Sequence, residues 1–295
     1  MGWRKASSHR SRAKASVAGR RHRRTLRALD DVRWHPEDTL VIAHRACHAT
    51  FPENSAEAIA ACASEGAVLA EVDLDMTRDG VVVLMRDSSP KRTTTSARAN
   101  RTRTMLYRDI AALRLVDARR NPTEFRVPTL GMAIRAARDS GTVLWLDTKK
   151  SLFRDFLLAS RVRDIIRRHR AWPHVVLSSL DLRKGYQRKP PRHYLAANNA
   201  LADFDAAKPE LRKSSANAWA PKHPLRTNAS ALCRLRDLAG IGPVLNVLKE
   251  ERAAAAAAHD AASPFYKDLA TRACVRFLVT EYPRAACAQL NSSFC

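Results

Sequence analysis

The sequence predicts an α/β fold: a (β/α)8 TIM barrel that follows a disordered, basic N-terminal tail. Short apolar runs alternate with helix-forming segments along most of the chain, as expected when a helix follows each strand. A length of 295 residues suits one barrel of about 250 residues plus a tail. No glycine-rich phosphate loop follows any predicted strand, so a doubly wound sheet is disfavoured.

About eight apolar runs are typical of barrel strands, and nearly all are followed by a segment with helical periodicity. The strands are expected at Val41, Val68, Thr142, Val175, His193, Ala216, Val244 and Val275. The helices are expected at 56–64, 107–115, 128–141, 153–169, 182–189, 204–213, 229–239, 250–262 and 284–289. Because barrel enzymes keep their active sites at the carboxyl ends of the strands, polar residues there are the first candidates for function.

The N-terminal segment differs in composition from the rest of the chain. Residues 1–29 hold ten Lys and Arg residues and no acid, so we predict a disordered tail or targeting segment over 1–33 and a barrel domain over 34–295. Four interpretations stay open for the tail: an organelle transit peptide, a nuclear-import cluster at 20–24, an arm that binds polyanions, and a solvated flexible segment.

The net charge and the cysteine content indicate which binding partners and which cellular compartment to expect. With 52 Lys and Arg against 29 Asp and Glu, the net charge is +23, which favours phosphate-bearing partners such as a membrane surface or nucleic acid. The six cysteines show no C-x-x-C spacing and no secretion signal precedes them, so we predict mostly reduced thiols. No apolar run reaches the ~18 residues of a membrane span. We therefore expect a soluble, intracellular monomer.

The stretch from Val41 to Asp87 carries most of the candidate chemistry: a strand, a polar loop, a helix, a second strand, a turn and a third strand. Asn54 or Ser55 is the predicted N-cap of the helix. Glu71 and Asp73 are two apart in a strand, so their carboxylates point to the same face. Buried together, they need either a bound cation or basic partners.

The order of these residues resembles the glycerophosphodiester phosphodiesterase family, whose barrel is shared by the spider-venom sphingomyelinase D enzymes. The matching segments begin with His44-Arg45, Pro52-Glu53-Asn54, Glu71-x-Asp73 and T-x-D-G at 77–80. Later segments, VPTL at 127–130, LDTK at 146–149, SSLD at 178–181 and TEYP at 280–283, resemble that family's IPTL, LEIK, SSFD and TDxP. The resemblance covers roughly residues 39–290.

The resemblance implies a role for each candidate residue. Glu71, Asp73 and Asp147 would bind one hard cation, Mg²⁺ or Ca²⁺, while Arg45 and Lys149 would hold the substrate phosphate. His44 would act as catalytic acid or base. The alternative for the carboxylates is simple pairing with Arg45 or Lys149.

The chain departs from the family at its second catalytic histidine, where Arg86 stands before Asp87. An arginine stabilises negative charge but does not release a proton near pH 7. His48, four residues beyond His44, is a candidate substitute. A basic segment around Arg92 is expected to cover the barrel mouth or to lie in an exposed loop.

The resulting expectation is a metal-dependent phosphodiesterase that cleaves glycerophosphodiesters or related (lyso)phospholipids, with Arg86 among the catalytic residues. The alternatives are a catalytically impaired pseudoenzyme that binds metal and phosphate, and a basic polyanion-binding protein.

Overall fold

The computed structural model describes residues 17–27, 29, 39–147, 156–179, 195–198, 216–220, 242–248, 266–267, 275–290 and 295. Eight parallel strands pair in a ring, which confirms the predicted barrel. The ring closes because β1 (Leu40–Ala43) pairs with both β2 (Leu69–Met76) and β11 (Phe277–Thr280). The other five strands are β6 (Val143–Asp147), β7 (Val175–Ser179), β8 (Leu195–Asn198), β9 (Ala216–Ala220) and β10 (Gly242–Asn246).

Most of the helices whose bounds are described pack outside this ring, against the outward-facing strand residues. The helices with described bounds are α1 (17–27), α2 (Ala56–Ala61), α3 (Tyr107–Ala111), α4 (Leu130–Ser140), α5 (Phe156–Arg168) and α6 (Pro283–Leu290). Ser55 and Thr129 cap α2 and α4 by accepting hydrogen bonds from backbone N–H groups in the first turns. The helices predicted at 182–189, 204–213, 229–239 and 250–262 lie outside the described residues.

Alternation along the strands separates two cores. Leu40, Ile42, Leu69, Val143, Trp145, Phe277 and Val279 belong to one buried cluster, and the intervening strand residues pack in a second cluster with the helices. Because side chains alternate across a strand, the first set shares its face with Glu71, Asp73 and Asp147. These carboxylates therefore continue the inward-facing rows toward the carboxyl end of the barrel.

The N-terminal segment is not wholly a disordered tail, because residues 17–27 form helix α1 and pack on the barrel. Arg21 donates hydrogen bonds to the carbonyl oxygens of Ala63 and Ala67, at 2.6 and 2.9 Å. Leu29 is buried in the cluster of inward-facing strand residues. The structure thus has a helix at 17–27, within the segment that the sequence predicts to be disordered, and Arg21 bonds this helix to backbone of the barrel domain.

A small antiparallel unit follows the second barrel strand. Strand β3 (Val82–Leu84) pairs antiparallel with the end of β2, and β4 (Arg114–Val116) forms a hairpin with β5 (Pro122–Arg126). The hairpin was not predicted, because its residues alternate in exposure without an apolar run. It belongs to the basic segment between β3 and α4.

Two disulfides correct the prediction of reduced thiols. Cys47 in the loop after β1 is bonded to Cys62 at the end of α2, and Cys287 in α6 is bonded to Cys295. Their sequence separations of 15 and 8 residues match no local motif, so only the fold brings the partners together. Structural disulfides are typical of proteins in oxidising compartments.

Candidate active site

The loop after β1 is shaped by an unusual backbone. Arg45 and Ala46 have φ angles of 54° and 64°, the left-handed region that non-glycine residues seldom adopt. Glu71 holds this turn, because its Oε2 accepts a hydrogen bond from the Arg45 N–H at 2.8 Å and its carbonyl accepts one from the Ala46 N–H at 2.8 Å. Strain of this kind often accompanies a functional site.

Three carboxylates meet at the carboxyl ends of β2 and β6. Glu71, Asp73 and Asp147 each offer an oxygen, and the three oxygens lie within 4.8 Å of one another. The register explains this, since Asp73 is directly opposite Asp147 in the parallel pair. Burial, and then the charges of Asp73 and Asp147, raise the pKa of Glu71 well above its usual range. A divalent ion with oxygen ligands would relieve that repulsion, so the donor set fits Mg²⁺ or Ca²⁺.

Asn54 fixes the orientation of Asp73. Its backbone is left-handed, with φ of 57°, and its amide makes two hydrogen bonds with Asp73. Asn54 Nδ2 donates to Asp73 Oδ2 at 3.1 Å, while Asn54 Oδ1 accepts from the Asp73 N–H at 3.0 Å. Ser55, not Asn54, is the N-cap of α2, so Asn54 is available for the site.

Glu53 joins the same loop to the basic segment beyond β3. Its carboxylate accepts hydrogen bonds from Arg45 Nη1 at 3.0 and 3.2 Å and from both terminal nitrogens of Arg92 at 2.8 Å. Although burial opposes it, these two guanidinium groups lower the pKa of Glu53 to about 2. The carboxylate is therefore ionised at neutral pH, and the Arg92 segment lies against the mouth of the barrel.

Arg86 lies beside the carboxylate cluster. It follows β3, and pairing of β3 with the end of β2 places Arg86 Nη1 3.2 Å from Asp73 Oδ1. The Met85 N–H also donates to the Asp73 carbonyl at 2.9 Å, which ties the chain just before Arg86 to β2. The Arg86 side chain is about one-third exposed, at 32%.

His44 lies close to the acidic residue Glu281, where the first and last barrel strands pair. Its Nδ1 lies 3.6 Å from Glu281 Oε1, because the His44 N–H is bonded to the Thr280 carbonyl at the end of β11. Burial and the nearby Arg45 lower the pKa of His44 to about 4, so its imidazole is neutral at pH 7. A neutral imidazole can accept a proton from a nucleophile.

Comparison with known proteins identifies the family. Residues 44–267 match the Glycerophosphoryl diester phosphodiesterase family. The chain belongs to this family. A curated relative, glycerophosphodiester phosphodiesterase 1 of Bos taurus, is 33% identical over 118 residues, which are 39% of this chain and 35% of the relative. The Mus musculus protein of the same name is 33% identical over 131 residues, 43% of this chain and 38% of its own length. The chain thus matches little more than a third of the length of these relatives.

Solved structures of the family share the fold. A glycerophosphoryl diester phosphodiesterase structure from Silicibacter pomeroyi superposes with a TM-score of 0.69 at 21% identity, covering 90% of this chain and 97% of that one. A phosphodiesterase from Oleispira antarctica, solved with its product sn-glycerol-3-phosphate, gives a TM-score of 0.65 at 18% identity, covering 86% and 97%. At these identities the likeness establishes the barrel.

In this family member, most predicted site residues come together at one end of the barrel. His44, Arg45 and Arg86 lie around Asp73 and its two carboxylate neighbours. Lys149 lies outside the described residues. Glu281 and Arg92 were not assigned a site role from the sequence, since their contacts depend on closure of the barrel and on folding of the segment after β3. No helix in the described ranges is long and apolar enough to cross a bilayer.

Proposed function

We propose that this protein is a metal-dependent phosphoric diester hydrolase that cleaves glycerophosphodiesters or related (lyso)phospholipids. The observation that carries the proposal is the cluster of Glu71, Asp73 and Asp147 beside His44. Three clustered carboxylates, two of them buried, raise the free energy of the folded state unless a proton or a cation reduces their repulsion. The match to the phosphodiesterase family favours a cation.

Glu71, Asp73 and Asp147 would hold the ion, Mg²⁺ or Ca²⁺. When bound, it would neutralise negative charge on the phosphate oxygens and so make the phosphorus easier to attack. Asn54 and Glu71 keep the ligands in place, because each also bonds to the backbone of a neighbouring segment. A ligand set held from two sides in this way loses little freedom when the ion binds.

The residues of the chain supply the proton transfer and further charge. His44 would take the proton of the attacking hydroxyl, which belongs to water or to the substrate glycerol. The departing alkoxide would take a proton from solvent water, so that the products are a phosphomonoester or a cyclic phosphate plus an alcohol. Glu281, 3.6 Å from His44 Nδ1, would stabilise the imidazolium that results. Arg45, Arg86 and Lys149 would balance the charge of the phosphodiester.

A metal titration of the full chain with glycerophosphocholine and lysophospholipid substrates tests this proposal. We expect cleavage that depends on Mg²⁺ or Ca²⁺ and that is lost in His44→Ala and Asp73→Asn. The matched control is Asp75→Asn, since Asp75 lies in the same strand but pairs with Arg103 and does not belong to the carboxylate cluster. Full activity after metal removal, or in Asp73→Asn, would contradict the proposal.

A second candidate is a pseudoenzyme that binds metal and phosphate without turnover. Arg86 favours it, because this residue stands where the family resemblance implies a proton donor and it pairs with Asp73. Binding of Mg²⁺ and phosphate without cleavage of any diester, including those with good leaving groups, would support this candidate. Turnover of even the activated diesters would exclude it.

The basic N-terminal residues are proposed to contact a membrane surface or nucleic acid. Helix α1 packs on the barrel, so deletion of 1–33 would also disturb the fold; neutralising the five basic residues within 4–14 is the cleaner change. We expect polyanion binding that weakens with salt and drops in this variant.

For an intracellular monomer, the disulfides favour an organelle with an oxidising lumen over the nucleus. Fractionation of the tagged protein tests this location.

A further inference from the structure

A second group of metal-ligand side chains lies beside the carboxylate cluster. His44, His48 and Glu281 each offer a ligand atom, and the three atoms lie within 4.8 Å of one another. They come from the loop after β1 and from the residue after β11, whereas the carboxylate cluster belongs to β2 and β6. We propose that His44, His48 and Glu281 form a second metal site, which binds Zn²⁺ or a similar nitrogen-preferring divalent ion.

The donor set distinguishes this site from the carboxylate cluster. Two imidazoles and one carboxylate are ligands that zinc accepts in catalytic sites, whereas Mg²⁺ and Ca²⁺ prefer oxygen. The distance of 3.6 Å between His44 Nδ1 and Glu281 Oε1 is close to the ~3.4 Å that separates two ligands of a tetrahedral ion with bonds of about 2.1 Å. The two groups can therefore bind one ion with small side-chain adjustments.

Unsatisfied ring nitrogens support the same assignment. His44 Nδ1 and His48 Nε2 are buried, and neither makes a hydrogen bond. A buried polar atom without a partner is costly and calls for an explanation, and coordination to a metal would supply the missing partner.

The backbone holds the loop ready for an ion. Cys47, between the two histidines' positions, is bonded to Cys62 at the end of α2. The His48 N–H donates to the Ala46 carbonyl at 3.0 Å, and the His44 N–H donates to the Thr280 carbonyl beside Glu281. Both ends of the ligand set are thus tied to the barrel before any ion binds.

Occupation of this site would remove the imidazole that the proposed function uses as a base. With zinc bound at His44 Nδ1, the neutral ring would carry its proton on Nε2 and would have no free nitrogen to accept another. This consequence rests on the proposed function, but zinc binding itself does not. Zinc binding is therefore measured directly, without reference to turnover.

The test is to titrate the full, oxidised chain with Zn²⁺ and to measure binding by calorimetry and by competition with a zinc-binding fluorophore. Co²⁺ is used in parallel, because its visible spectrum reports nitrogen ligands and low coordination. We expect one ion to bind, and His48→Gln and Glu281→Gln to weaken Zn²⁺ binding by about 100-fold or more, because loss of a direct ligand should exceed the ~10- to 100-fold effect of losing an outer-shell partner.

Two controls make the result decisive. His169→Gln removes a histidine in the turn after α5 and should leave Zn²⁺ binding unchanged. Asp73→Asn should weaken Mg²⁺ binding and spare Zn²⁺, while retained Mg²⁺ binding shows that the His48 and Glu281 variants are folded. Unchanged Zn²⁺ affinity in His48→Gln, or Zn²⁺ lost only in Asp73→Asn, would overturn the second site. Neither result bears on whether wild type cleaves diesters with Mg²⁺.

Discussion

Replacing Arg86 by histidine tests whether the proposed site lacks a group that protonates the departing alkoxide. The guanidinium lies 3.2 Å from Asp73, and an arginine side chain does not release a proton near pH 7. It can therefore stabilise an anionic phosphate, but it cannot give a proton to a departing alkoxide. If the pocket is otherwise complete, wild type should cleave diesters with good leaving groups far better than alkyl diesters.

The expected gain follows from the chemistry of one positioned group. Arg86→His should raise kcat for alkyl diesters about 10²- to 10⁴-fold, the usual contribution of a general acid, and leave kcat for activated diesters nearly unchanged at saturating substrate. Arg86→Gln is the matched control, since it removes the charge without supplying a proton, and it should give no gain on alkyl diesters.

The same changes should strengthen metal binding, because they remove a cation beside a cation site. At the observed 3.2 Å, the interaction of Arg86 with Asp73 is worth about 1 kcal/mol even in a dielectric like that of water. The interaction is this weak because solvent screens the Arg86 side chain, which is about one-third exposed. Both variants should thus bind Mg²⁺ about fivefold more tightly, as measured by calorimetry.

Steady-state kinetics on glycerophosphocholine and on a nitrophenyl diester separate the outcomes. Wild-type turnover of glycerophosphocholine at an ordinary rate of about 1–10³ s⁻¹, together with a neutral or harmful effect of Arg86→His, would refute this role of Arg86. In that case another group supplies the proton, and His48 is the first to examine. His44→Ala should abolish activity in both backgrounds.

Three further predictions concern stability. Leu29→Ala should lower the free energy of unfolding by about 2–4 kcal/mol in urea, because Leu29 is 6% exposed in the inward-facing cluster; a change below about 0.5 kcal/mol would mean that this residue does not pack there. His174, stacked on His22, has a pKa lowered by burial to about 4, so its stabilising effect is complete above pH 6.5 and declines as pH falls toward 4. Because His174 is partly exposed, we expect this pH-dependent change in the free energy of unfolding to be about 1 kcal/mol. His174→Gln should flatten the pH dependence of the urea midpoint, and an unchanged slope would refute the prediction. Cys47→Ala combined with Cys62→Ala should cost about 3 kcal/mol for a 15-residue loop, and a melting temperature equal to that of wild type would argue against the bond.

The barrel was predictable because its physical signals are local. Each strand is a short apolar run, and all eight predicted strands appear in the structure within a few residues of their expected positions. Glu71 and Asp73 could be placed on one face from their spacing alone, and the parallel register then brought Asp147 opposite Asp73.

Other features depend on contacts that the sequence does not show. Glu281 meets His44 only because β11 pairs with β1, a contact between residues more than 230 apart. The sequence does not predict helix α1, because the face that packs on the barrel includes Arg21 and His22 as well as Ala18 and Thr25. This face therefore lacks the apolar periodicity of an ordinary packed helix. Arg21 can be there because barrel carbonyls accept its hydrogen bonds.

The charge pattern of the site changes the interpretation of its arginines. Arg45 was predicted to bind the substrate phosphate, yet its guanidinium is held by Glu53 and lies 3.6 Å from Asp73, and Arg92 is also bound to Glu53. Arg86 contacts Asp73 and keeps about a third of its side chain exposed. A phosphodiester that enters from solvent would therefore meet Arg86 without first displacing Glu53. We expect Arg86 to be the main phosphate-binding cation among these three, so that Arg86→Gln raises KM for diesters more than Arg92→Gln does. If Arg92→Gln has the larger effect on KM, then the Glu53 contacts open on substrate binding.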